Sequence, residues 1–328
     1  MIRYTGYACK NLSLQDKIRK KQDNIFTDRT LRMEGFSINR VGDLATKNSA
    51  DLIHILKWNE ANGIKFFRIG SGLFPFMDHP TLGYSLDQLE DEHAESIKKS
   101  MAEAGDFAKQ NNMRLSCHPG PYTCLASYDQ AIVAKSISSL NMHCLIGDLL
   151  GYGDEFAINI HVGGVYDSKQ STAQRFLKTF DSLPDAIKRR LTLENDDKQS
   201  MWSITDLSKM ISSHCSIKLV LDIHHHRFCN QESILDAADM AFSTWKGFCE
   251  IPKVHYSESR DDKRPQAHSD WIIDEIPNLS NSIDYDIMLE TKMKDKALLS
   301  HREVYGNTYD NSNVRQSQHN RSLQVLDA

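Results

Sequence analysis

Eight short apolar runs recur along the chain, centred on Tyr4, Phe67, Leu115, Ile158, Leu193, Val220, Val254 and Met288, and the internal ones are separated by segments with helical spacing. A strand, a helix and a further strand form the unit from which parallel sheets are wound. Eight such units close into a (β/α)8 barrel. An open doubly wound sheet is the alternative, but it expects a glycine-rich phosphate loop after the first strand, and neither GxGxxG nor GxxxxGK[ST] occurs. The pattern therefore predicts an α/β protein, a TIM barrel whose chemistry lies at the C-terminal ends of its strands. Residues 1–300 form this single catalytic domain, and 301–328 a polar C-terminal tail that turns core-free at about Gly306.

Within that frame the periodicity places a weak helix over 29–46 and a second from Ser49 to Asn62, stopped by Gly63. Leu86 to Gln110 reads as one long amphipathic helix. ESRDDKRPQAHS reads as a charged loop, followed by a short helix and then the last strand in DYDIMLETKMKD.

The polarity changes where these strands end. SIKLVLDIHHHRFC, residues 216–229, turns from apolar to Asp222 and His225, and the same switch occurs at His118, His161, Glu194, His255 and Glu290, with His268 in the seventh loop. One such residue is usually a cap or a hydrogen-bonded histidine. A set of them in register around one rim is not accounted for that way. Carboxylates buried together need positive charge, and mixed imidazole and carboxylate groups suit divalent cations such as manganese or zinc. The set exceeds the three or four protein groups that one tetrahedral ion takes, so more than one ion is expected. Ions about 3.5 to 4 Å apart suit phosphate ester hydrolysis. A metal-dependent sugar isomerase on the same fold uses similar residue types.

Composition excludes some classes. With a formal net charge of -5 there is no general basic surface, so phosphate recognition must be local. Arg68, Lys169, Arg227, Arg260, Lys263 and Arg264 are the candidates, the last three being clustered beside His268. Seven cysteines without a CxxC pair read as reduced thiols. No run approaches the roughly 18 apolar residues of a membrane span. A cytoplasmic protein without a membrane partner is expected, working at the nucleoid if prokaryotic.

The segments GYACKNL, FRIGSGLFPF, LSCHPGPY, IHVGG, LENDD, LDIHHH, PKVHYS and KRPQAH, running in order from Tyr7, together resemble the UV damage endonuclease family. The resemblance implies a TIM-barrel DNA repair enzyme that cuts immediately 5' of cyclobutane dimers and 6-4 photoproducts in double-stranded DNA, leaving a 3'-hydroxyl and a 5'-phosphate. It also implies a cluster of three divalent ions, commonly Mn2+, and a monomer with no obligate protein partner. Carried onto this chain, the metal shell is His118, His161, Glu194, Asp222, His225, His255, His268 and Glu290, with Glu194 bridging. Glu194, Lys253, Tyr7 and His79 fall on the catalytic group, Lys253 as a carboxylated lysine; for His79 a loop-bracing hydrogen bond is the alternative. Tyr7 and Asn11 fall near the DNA phosphate and the flipped lesion, and Arg260, Lys263 and Arg264 form a phosphate-binding loop.

One departure stands out. The family commonly carries glutamine and tyrosine after HPG as probes of the gap left by the lesion, whereas this chain has Pro121 and Tyr122. Tyr122 can still stack on orphaned bases. Pro121 has no side-chain amide to read their edges. The rival readings are an abasic-site endonuclease and a sugar isomerase or epimerase, which differ in whether duplex DNA is needed and in the room left for flipped bases.

Overall fold

The structure is a computed structural model that describes residues 1–18, 25–247 and 251–306. Strands β1 (Ile2–Ala8), β2 (Phe66–Ile69), β3 (Arg114–Cys117), β4 (Ala157–Ile160), β5 (Leu191–Glu194), β6 (Lys218–Asp222), β7 (Lys253–Tyr256) and β10 (Tyr285–Leu289) form the expected barrel. They close in the order β1-β10-β7-β6-β5-β4-β3-β2, all parallel. Their burial on both faces explains the near-continuous apolar runs. Gly6 lets the seam close, since a Cβ there would meet the Phe66 carbonyl oxygen at 2.2 Å. A separate antiparallel hairpin, β8 (Ser259–Asp261) and β9 (Arg264–His268), stands in the loop after β7.

The helices are α1 (Leu12–Ile18), α2 (Ile38–Ala61), α3 (Asp91–Gln110), α4 (Gln130–Leu149), α5 (Lys169–Asp181), α6 (Asp185–Arg190), α7 (Ile204–Met210), α8 (Ile223–His226), α9 (Ile234–Ser243) and α10 (Lys294–Tyr305). Four expectations are corrected here. The helix expected from Leu86 begins at Asp91 as α3, after a separate 3-10 turn over Leu86–Gln88. The helices expected over 29–46 and 49–62 are one helix, α2. It starts where the Ser37 side chain accepts the Arg40 amide, and Ser49 lies inside it, its hydroxyl satisfied by the Ala45 carbonyl one turn back. ESRDDKRPQAHS is not a loop but mostly hairpin, turned by Asp261, whose side chain accepts the amides of Lys263 and Arg264.

No helix precedes β10. In its place the buried Glu258 carboxylate accepts the amides of Ile273 and Asp274, while Ile272, Ile276 and Leu279 pack into the core, so tertiary anchors replace helical bonds. Helix α10 carries regular structure past residue 300 to Tyr305, and the tail expected from Gly306 lies, from residue 307 on, outside the described residues. No helix among the described residues is long and apolar enough to cross a membrane.

Candidate metal centre

Parallel register brings the C-terminal ends of the strands to one rim. His118 follows β3, His161 follows β4, Glu194 ends β5, Asp222 ends β6 and Glu290 follows β10. His255, inside β7, is level with Asp222 on one side and Met288 on the other. Asp222 also caps the single turn of α8 by accepting the His225 amide at 2.8 Å, which folds His225 back toward the rim.

Glu194 is the hub. It is buried, with His255 Nδ1 at 3.0 Å and His118 Nε2 at 3.4 Å from Oε2, and His225 Nδ1 at 3.4 Å and His161 Nε2 at 3.9 Å from Oε1. His255 Nδ1 is also 3.1 Å from Glu290, and His268 Nε2 is 3.9 Å from that carboxylate. Three groups have ligand atoms within 4.8 Å of one another: His118, His161 and Glu194; Glu194, Asp222 and His225; Asp222, His255 and Glu290. Glu194 joins the first two and Asp222 the last two. His268 borders the third group without belonging to it.

The surroundings bias the histidines toward ligand tautomers. His118 Nδ1 lies 2.9 Å from the Pro119 carbonyl and His225 Nδ1 2.9 Å from the Asn195 carbonyl, so each donates there and leaves Nε2 as the nitrogen able to bind an ion once the ring is neutral. His161 Nδ1 lies 3.2 Å from Asp196, a charge contact rather than a hydrogen bond. Nε2 of His255, one oxygen of Asp222 and Nζ of Lys253 are buried without hydrogen-bond partners. Buried polar atoms without partners are costly, and a bound ion would satisfy the imidazole nitrogen and the carboxylate oxygen, so the residues present fit a divalent-cation centre.

Electrostatics follow the geometry. Burial opposes ionising Glu194, yet His255 and His161 hold its carboxyl well below the usual range. Burial likewise opposes charging the histidines, but Glu194 and Asp196 raise His161 to about 10, and Asp222 and Glu194 raise His225 to about 9. Lys253 moves the other way: its burial, together with the Arg114 guanidinium, lowers it to about 7.

Several expected site residues are placed differently. Arg68, expected as a phosphate contact, is buried and bonds Glu290. Lys169 is tied to Asp206 at 2.6 Å. Tyr7 and Asn11, expected at the DNA, are 0% and 1% exposed: the Tyr7 hydroxyl donates to Asn59 and accepts from Asn11, whose Oδ1 takes the Leu14 amide. They brace the start of α1, and no surface remains for direct contact. His79 Nδ1 accepts the Leu82 amide at 3.1 Å, the loop brace, and the residue joins none of the three ligand groups. Pro121, Tyr122, Arg227, Arg260, Lys263 and Arg264 are exposed, Tyr122 at 83%.

Four partners of the ligands were not singled out from the sequence. Asn159 donates to Glu194 while accepting from Thr192. Asn195 clamps the Asp222 backbone, accepting its amide at 2.7 Å and donating to its carbonyl at 3.1 Å. Asp196 orients His161, and His224 Nε2 lies 3.1 Å from the Gln266 carbonyl, pinning hairpin strand β9 over the rim. A signal existed for Asn159: it shares a strand face with His161 two residues on, a polar residue inside an apolar strand.

A parallel (β/α)8 barrel with a carboxylate-centred ring of histidines defines the class, TIM-barrel enzymes with a site suited to clustered divalent cations. This chain belongs to the UV-endonuclease UvdE family, whose model matches residues 3–316. It is 36% identical over 311 residues to the UV-damage endonuclease of Schizosaccharomyces pombe, covering 89% of this chain but 49% of that protein, so it spans about half the length of that relative. The UV DNA damage endonuclease of Bacillus mycoides is 32% identical over 269 residues, covering 80% of this chain and 81% of that one. Among solved structures, that of SacUVDE superimposes with a TM-score of 0.80 at 32% identity, covering 92% of this chain and 97% of that one. Endonuclease IV from Thermus thermophilus, at a TM-score of 0.53 and 14% identity, shares the fold.

Proposed function

We propose that this chain is a metal-dependent DNA repair endonuclease that hydrolyses the phosphodiester bond immediately 5' of UV photoproducts, cyclobutane dimers and 6-4 photoproducts alike, leaving a 3'-hydroxyl and a 5'-phosphate. The observation that supports it most is the set of three overlapping ligand groups sharing Glu194 and Asp222, on a member of the UvdE family. Three divalent ions, Mn2+ by ligand type, would be held by His118, His161, Glu194, Asp222, His225, His255 and Glu290, with His268 closing the third position. Bound there, such ions polarise the phosphate and lower the pKa of the attacking water. Arg68 holds Glu290 in place, and Asn159 and Asn195 fix Glu194 and Asp222.

Lys253 is proposed to carry a carbamate, formed when neutral Nζ bonds the carbon of carbon dioxide and loses a proton. That turns an orphaned buried amine into an anionic oxygen donor beside the cluster. On the rim, Tyr122 is positioned to stack in the gap left by a flipped lesion, and Arg260, Lys263 and Arg264 meet phosphates. A damaged dinucleotide is already poorly stacked, so extruding it costs less than flipping intact bases.

Metal loading is the first expected result. Elemental analysis of stripped and Mn2+-reloaded protein should find two or three ions per chain, and saturation at one would sink the clustered centre. Because His161 and His225 are raised above neutrality in the free protein, they hold protons at pH 7 that must leave when metal binds. Apparent affinity therefore rises as pH climbs toward 9, and proton release is read calorimetrically by comparing buffers of different ionisation enthalpy.

The decisive test of the reaction uses a 5'-labelled duplex with one site-specific dimer, beside an abasic-site duplex and an intact control. Metal-dependent nicking on the 5' side of the dimer, sparing intact duplex, is expected. Cleavage at the abasic site alone would favour an abasic endonuclease, and no cleavage of any duplex a sugar isomerase or epimerase. Tyr122→Ala should weaken lesion binding by about 1–3 kcal/mol, the scale of one lost base stack.

A further inference from the structure

Four aromatic side chains among the described residues are exposed enough to stand out, Tyr122, Tyr128, Tyr166 and Trp271, and three of them lie in the loops after β3 and β4. Those loops begin at His118 and His161, whose rings are 5.7 Å apart on the rim. Tyr128 and Tyr166 are 52% and 54% exposed, with ring centroids 5.4 Å apart and planes at 59°. Between them reaches Arg175 from α5, its guanidinium 3.8 Å from the Tyr128 centroid and 5.9 Å from that of Tyr166.

Two members of this group are anchored by hydrogen bonds. Arg175 donates to the Ala126 carbonyl at 3.0 Å and to the Thr172 hydroxyl at 3.0 Å, and the Tyr128 hydroxyl donates to Asp167. Fixed rings lose little freedom when a flat partner arrives, and a guanidinium among them adds cation–π attraction and positive charge. Among the described residues Asp167 is the carboxylate bonded to this group, and its bond to the phenol keeps it at the ring edge, away from the ring face.

We propose that Tyr128, Tyr166 and Arg175 form a second stacking platform, which receives unpaired bases of the DNA strand lying across the His118–His161 side of the rim. The occupant is a nucleobase because two half-exposed tyrosines stand beside a cation in the same loops after β3 and β4 that carry Tyr122, and stacking of this kind is tolerant of sequence. The inference deepens the proposed reaction and rests on it for the direction of the strand.

The test compares metal-loaded wild type, the double variant Tyr128→Ala/Tyr166→Ala and the double variant Tyr128→Phe/Tyr166→Phe. Fluorescence anisotropy measures affinity for an undamaged duplex with two adjacent unpaired positions and for its fully paired counterpart. The wild type should prefer the unpaired duplex; the alanine pair should lose that preference by on the order of tenfold, and the phenylalanine pair should keep it. Unchanged preference in the alanine pair, or an equal loss in the phenylalanine pair, overturns the platform, as does a wild type that does not distinguish the two duplexes. Nicking of a dimer-containing duplex is read in parallel. Intact nicking with unchanged binding in the alanine pair sinks the platform alone, whereas a tenfold binding loss in a protein that never nicks supports the platform and sinks the reaction. Both tyrosines are half-exposed, so thermal melting should not change.

Discussion

Replacing Glu194 with glutamine is expected to lower single-turnover nicking of a dimer-containing duplex by orders of magnitude while DNA binding survives in part. The carboxylate is 1% exposed, lies 3.0 to 3.9 Å from nitrogens of four histidines and, like Asp222, belongs to two of the three candidate ligand groups. Glutamine preserves its volume and removes its charge. Metal-binding and charge-stabilising chemistry should fail with it, whereas the hairpin side chains proposed to meet phosphates are elsewhere. A variant that nicks at a rate comparable to wild type, at saturating enzyme and Mn2+, would show that Glu194 does not have this role.

At the opposite end of the barrel, Asp286→Ala should cost about 3–5 kcal/mol of stability, the scale on which a buried ion pair fails when one partner is removed. Asp286 is fully buried in β10 and binds Arg3 at 2.6 and 2.9 Å and Arg114 at 2.7 Å. Losing it strands the Arg114 guanidinium, itself nearly buried, without a counter-charge. Urea unfolding should show a lower midpoint at unchanged slope. A shift below half a kcal/mol would mean that solvent reaches Arg114 and the network is dispensable.

Most of the eight strands were legible as short apolar runs, several of which stop abruptly at a polar residue, the pattern of a closed parallel sheet. The polar groups brought to the rim were legible for the same reason. Burial was not: Tyr7 and Asn11 look like mouth residues in GYACKNL, yet Asn59, some fifty residues away on α2, draws the Tyr7 hydroxyl inward. Arg68 reads as any basic residue until β2 is set two strands from β10 and Glu290. Ser49 misled as a helix start because a hydroxyl that bonds one turn back inside a helix cannot be told in sequence from one that caps.

The barrel has no free edge, since each of its strands has two neighbours; the hairpin of β8 and β9 has two. Open strand edges invite pairing with other chains, and proteins blunt them with charge, proline and brevity. Here β8 has three residues and β9 five, and the ribbon carries Arg260, Asp261, Lys263, Arg264 and Pro265. The side chains proposed to meet DNA thus also give the hairpin edges the charge and proline that blunt strand pairing. Neutralising them to probe DNA binding would bare a strand edge, so precipitation of such a variant would report self-association through the hairpin and not collapse of the barrel beneath it.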